Sequence, residues 1–121
     1  MIDLIGRPYR YGADGTESDG AIDCIHLVLI VLDRLGIQRP QTRQEWYGGS
    51  AMLIGRDLLK WGQKIATPQY DGDVLLLPQE TTAFAVYWEN GCLYINQHLK
   101  AAAWCPIEQL PISRCFRSRS V

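Results

Sequence analysis

From Ala21 to Leu35 the chain is apolar almost without interruption (AIDCIHLVLIVLDRL) and the run stops at Gly36. Val28, Ile30 and Val31 favour strands, but the run is too long for an ordinary strand. Apolar residues on nearly every side predict a buried central helix over about residues 22–35, with Gly36 as its C-terminal cap. Ahead of it, glycines at 12, 15 and 20 among turn formers read as a loop. Between 41 and 65 helical signals are interrupted by glycines at 48, 49, 55 and 62. They predict two short helices broken near Gly48–Gly49, one of them over Arg56–Trp61. The period then changes. Val74–Leu77 reads as a buried strand ended by Pro78, Ala83–Trp88 as a second and Cys92–Gln97 as a third. Glu89-Asn90-Gly91 predicts the hairpin turn between the last two. Trp104 opens a further short extended piece, Ile107–Leu110 a turn, and Ile112–Phe116 a last strand. Helices followed by hairpin-connected strands give an α+β fold with N-terminal helices packed on an antiparallel sheet. At 121 residues the chain is expected to form one domain, 1–121.

Charge narrows the function classes. With 12 basic and 13 acidic side chains the net charge is −1. No general attraction to nucleic acid or anionic membranes follows, although Arg114, Arg117 and Arg119 make the tail locally basic. No apolar run is long enough to span a membrane. The opening MIDLIGRPYR lacks the pattern of a signal peptide. The cysteines at 24, 92, 105 and 115 form no C-x-x-C pair, so no metal or other cofactor is expected. Cys92, Cys105 and Cys115 sit in apolar stretches and read as buried thiols.

Cys24 stands apart. It falls in the first turn of the predicted helix, where unpaired N–H groups and the helix dipole favour a thiolate. A nucleophilic cysteine is expected in such a place, and so is an ordinary core cysteine. Only two histidines are available as a base. His26 is two residues away, about 200° round a helix, and reads as a packing or interface residue. His98 follows the third strand and reads either as a base reaching Cys24 or as an exposed strand-end residue.

The stretch Leu4-Ile5-Gly6-Arg7-Pro8-Tyr9-Arg10-Tyr11-Gly12, followed by Asp23-Cys24 at the head of an apolar helix, resembles the start of an NlpC/P60-type cysteine peptidase domain. Gly72-Asp73-Val74-Leu75-Leu76 is similar to that family's GDVL strand, and Phe84–Gly91 to its HVGIYLGNG hairpin. Tyr94–Leu99 is similar to its next strand. The resemblance implies a papain-like α+β fold. It implies Cys24 as nucleophile, Tyr11 as the tyrosine lining the substrate site, and Gln97 or His98 as the polar group that orients the base. It departs at Ala83, where the family has its catalytic histidine, and at Ile25 and His26, where it has serine and glycine. Either His98 has taken over as base or the fold persists with its chemistry gone; Ala83 favours the second.

The short form resembles the peptidase-like domains of phage tail proteins. That implies other tail or baseplate proteins as partners, a place in the virion after synthesis in the host cytoplasm, and peptidoglycan stem peptides as the substrate of an active member. Trp46, Tyr47 and Trp104 are candidate partner-facing aromatics.

Overall fold

The computed structural model describes residues 1–79 and 82–121. Two helices, α1 (Cys24–Arg34) and α2 (Ala51–Trp61), precede or flank six strands. These are β1 (Gly62–Ile65), β2 (Val74–Leu77), β3 (Ala83–Trp88), β4 (Gly91–Asn96), β5 (Ala101–Pro106) and β6 (Arg114–Ser118). The strands form one antiparallel sheet in the order β1-β6-β2-β3-β4-β5. The α+β architecture expected from the hydrophobic pattern is the one observed.

α1 starts where Asp23 takes an extended conformation and caps the His26 N–H. It ends in a Schellman motif, with Gly36 at a φ of 73°. The Ile37 N–H returns to Leu32 O at 2.9 Å and the Gly36 N–H to Asp33 O at 3.1 Å. Leu27, Val28, Val31 and Leu32 of α1 pack with Val74, Leu76, Phe84, Val86 and Leu93 from one face of the sheet. Leu75, Leu77, Ala85, Cys92 and Cys115 point to the other face, which Ile107, Leu110 and Ile112 cover. Both faces of β2 are therefore buried, so it reads as an unbroken apolar run. At the β3–β4 turn Glu89 and Asn90 both have positive φ, 53° and 62°, the type I′ geometry that matches strand twist.

The stretch 41–65 departs from the sequence reading. The first of the two expected helices is only a 3₁₀ turn, Gln44–Trp46. The second begins at Ala51, capped by Ser50, and runs through Gly55. A Cβ at Gly55 would lie 2.7 Å from Arg114 Nη1, the far end of an exposed side chain that can move aside. Gly62 opens an edge strand that the sequence reading missed. Its missing Cβ allows close approach to the Arg117 carbonyl, 2.2 Å from where that Cβ would be. β6 starts at Arg114 rather than Ile112, and the piece around Trp104 is a full strand paired along β4. Trp46, a candidate partner-facing residue, is in the core at 2% exposure.

The turn before β2 is pinned by Asp73, 1% exposed. Its carboxylate accepts from Arg117 Nε and Nη2 (2.9 and 2.8 Å) and from the Gln69 and Tyr70 N–H groups (2.9 and 3.1 Å). The Arg117 guanidinium also lies over the Tyr70 ring, 4.4 Å from its centroid. Asp73→Ala strands Arg117 and should lower unfolding stability by about 3 kcal/mol; urea denaturation checks this, and a loss below about 1 kcal/mol would refute the role of the pair.

Candidate functional site

The lead segment threads beside the entry to α1. The Ile22 N–H donates to Pro8 O at 3.0 Å, the Arg10 N–H to Ile22 O at 3.3 Å and the Asp23 N–H to Ala13 O at 3.0 Å. These bonds bring Tyr9 and Tyr11 to the N-terminus of α1, where Cys24 is the first helical residue.

Asp23 organises this end of the molecule and is 2% exposed. Its Oδ1 accepts from the His26 N–H at 2.7 Å and lies 2.8 Å from His26 Nδ1. Its Oδ2 accepts from the Tyr47 hydroxyl, which also lies 3.3 Å from His26 Nδ1. The Tyr11 ring leans on Tyr47 with centroids 5.0 Å apart. Tyr11, Gly12, His26, Arg43 and Tyr47 contribute to a cavity of about 290 Å³. Burial, then hydrogen bonding to Asp23, pushes the Tyr47 hydroxyl well above the ordinary tyrosine range, so it stays a donor.

Cys24 is partly buried and its thiol is pushed up to about 11. Burial is the main cause, and the adjacent Asp23 charge adds to it. The N–H groups of Phe84, Cys24 and Ile25 act in the opposite direction and lose. Helix position alone leads one to expect a lowered thiol; desolvation reverses that. At pH 7 only about one thiol in ten thousand is ionised.

No imidazole is hydrogen-bonded to Cys24 among the described residues. His98 lies exposed in the turn between β4 and β5, its backbone N–H bound to Asn96 Oδ1 at 2.9 Å. Gln97 is also exposed and donates to Gln79 Oε1 at 2.8 Å. β4 ends at Asn96, and the last of its side chains to join the α1-side core is Ile95. Tyr11 does stand beside the Cys24 end of the helix, and Tyr9 joins it there. Burial first, then the charges of Cys24 and Asp23, raises the Tyr9 hydroxyl.

Ala83 is the position that the family resemblance matches to the catalytic histidine. Its side chain packs with Leu75 and Leu77 on the face away from α1. Phe84 faces α1, stacked on Trp46 with centroids 5.2 Å apart, and its backbone N–H serves the thiol.

Sequence reasoning missed the Asp23–His26–Tyr47 cluster. The Asp-x-x-His spacing at a helix start was its one local signal, since an N-cap carboxylate reaches back to the third residue. Nothing local marks Tyr47. Among the described residues no group of three or more His, Cys, Asp or Glu side chains is placed to hold a metal.

The sequence model of the NlpC/P60 family matches residues 6–103. Among solved structures, that of NlpC2 from Trichomonas vaginalis superposes with a TM-score of 0.67 at 16% identity, over 97% of this chain. This chain spans 44% of that neighbour's length, so the likeness concerns the fold. No curated protein matches in sequence.

Alkylation of Cys24 by iodoacetamide, followed by peptide mass spectrometry, should be slow at pH 7, rise about tenfold per pH unit up to about pH 10 and level off only near pH 11. Asp23→Asn removes a neighbouring negative charge and should move that rise to lower pH; a plateau below pH 8.5 in the wild type would overturn the assignment. Tyr47→Phe removes a donor to a buried carboxylate and should cost about 1–2 kcal/mol in thermal or urea unfolding.

Proposed function

Because the chain belongs to the NlpC/P60 family, we propose that it is a member that no longer hydrolyses peptides and serves as a structural part of a phage tail or baseplate. The observation that carries the first half is the state of Cys24. A cysteine hydrolase needs a thiolate and an acid that protonates the leaving amine. Here burial holds the thiol neutral, and among the described residues no imidazole is hydrogen-bonded to it. Loss of general acid–base help alone is worth about 10²–10⁴-fold in rate. Among the described residues, the imidazole with an orienting carboxylate is His26, and helix geometry turns it away from Cys24.

The tail assignment, with synthesis in the host cytoplasm and other tail proteins as partners, rests on the resemblance to the peptidase-like domains of phage tail proteins. It is supported by apolar side chains left on the surface, among them Ile2 at 75% and Leu99 at 69% exposure. An active member would cleave peptidoglycan stem peptides, with Cys24 as nucleophile, His98 as base and Gln97 beside it.

Wild-type protein should release no more free amine from muropeptides than Cys24→Ala does, and His98→Ala should change nothing. Turnover that Cys24→Ala abolishes would overturn the non-hydrolytic reading; if His98→Ala abolished it equally, the base would be His98. Mass spectrometry of phage particles from the source culture should find the chain, and its absence would overturn the tail assignment.

A further inference from the structure

A second cavity lies away from Cys24. It encloses about 590 Å³ between segment 38–43, which belongs to no helix or strand, and α2, lined by Arg39, Thr42, Arg43, Asp57, Lys60 and Trp61 among others. It shares Thr42 and Arg43 with the smaller cavity beside Tyr11, so the two continue along one segment.

Three features describe what this groove could hold. The first is charge. Asp57 is 6% exposed and accepts from Arg43 Nη2 and, at 2.8 Å, from Trp46 Nε1. Burial alone would raise its carboxyl, but these donors outweigh it and hold it below the usual carboxylate range. Lys60 Nζ stands 4.0 Å from Asp57 with its side chain 76% exposed. Arg39 is paired to Asp33 through Nε and Nη2, which leaves Nη1 uncommitted. The carboxylates are thus used up, while Lys60, Arg43 and Arg39 retain free donors.

The second is the backbone. The N–H groups of Arg39, Gln41, Thr42 and Arg43 donate to no other group of the chain among the described residues. Residues 41–43 are exposed, and Pro40 anchors the segment by its burial. Trp61 Nε1 donates to Gln38 O at 2.5 Å and fixes one end of the segment to α2. The third is length. Six residues reach roughly 20 Å when extended, enough to pair with a peptide of similar size.

We propose that segment 38–43 and its groove are a docking site for an extended, carboxylate-rich segment of a partner protein. Main-chain bonds to residues 39–43 give the peptide its direction. Its carboxylates meet Arg39 and Lys60 at the rim and the free side of Arg43 within. Fork-like guanidinium donors suit carboxylates better than they suit neutral amides. Cys24 takes no part, so the site stands independently of whether the thiol is active.

The probe is an acetylated, amidated hexapeptide alternating glutamate and valine, titrated into ¹⁵N-labelled protein, with a glutamine–valine peptide as control. The glutamate peptide should shift the amide signals of residues 39–43 and bind more weakly as salt is added. Arg39→Gln and Lys60→Gln should each weaken binding about threefold, and together about tenfold, with unfolding midpoints unchanged. Arg43 is left in place because its removal would strand the buried Asp57. Cys24→Ala should bind as the wild type does. Absence of binding, equal affinity for the glutamine peptide, or shifts centred on Tyr11 and His26 would each overturn the proposal. Displacement of the probe by muropeptides would overturn the assignment to a partner protein.

Discussion

A carboxylate can be taken out of water only if donors surround it, and among the described residues this protein buries three. Asp23, Asp57 and Asp73 are 2%, 6% and 1% exposed, and an unpaired charge at such depth would cost several kcal/mol. Each is met by donors from other parts of the chain. Asp23 holds the start of α1 to Tyr47, Asp57 holds α2 to Arg43 and Trp46, and Asp73 holds the turn before β2 to Arg117. Among the described residues no buried side-chain nitrogen or oxygen lacks a partner. The loops of the helical half are therefore fixed by carboxylates as much as by apolar packing.

The same arrangement decides the chemistry of Cys24. A helix N-terminus favours a negative charge by about 0.3–1 kcal/mol. Moving a thiol from 9 to about 11 corresponds to about 3 kcal/mol against the thiolate. Desolvation is the larger effect, and the Asp23 charge beside it works in the same direction. Asp23 caps the helix well and, for that reason, makes a poor neighbour for a nucleophile. A family fold can thus keep its cysteine at the head of the helix while burial disfavours the thiolate.

One short stretch, residues 43–47, links the two ends of the helical layer. Arg43 and Trp46 satisfy Asp57, Tyr47 satisfies Asp23, and the Trp46 ring stacks on Phe84. The groove along 38–43 is the outer side of this same stretch. Its main chain is free because its side chains, rather than its amides, make the attachments.

The sequence by itself determined the order of elements, the long apolar helix with Cys24 in its first turn, the strands at 74–77 and 83–88, and the hairpin at Asn90. These follow from local periodicity and turn chemistry, which neighbours in the chain largely settle. The family resemblance, too, was carried by the lead segment and Asp23-Cys24. The edge strand at Gly62–Ile65 was not legible, because GQKI has no strand pattern and pairs only when β6 is alongside. The start of α2 at Ala51, ahead of Gly55, was not legible because glycine weakens a helical pattern and the helix is held by Ile54 and Leu58 in the core. Which residue of β3 faces α1, Ala83 or Phe84, depends on a period of two, so a shift of one residue reverses the answer. Only the tertiary structure decided that, and only it brought Tyr47 to Asp23 and set His98 in an exposed turn. Burial is a property of the assembled core, and burial is what sets the charge state of Cys24.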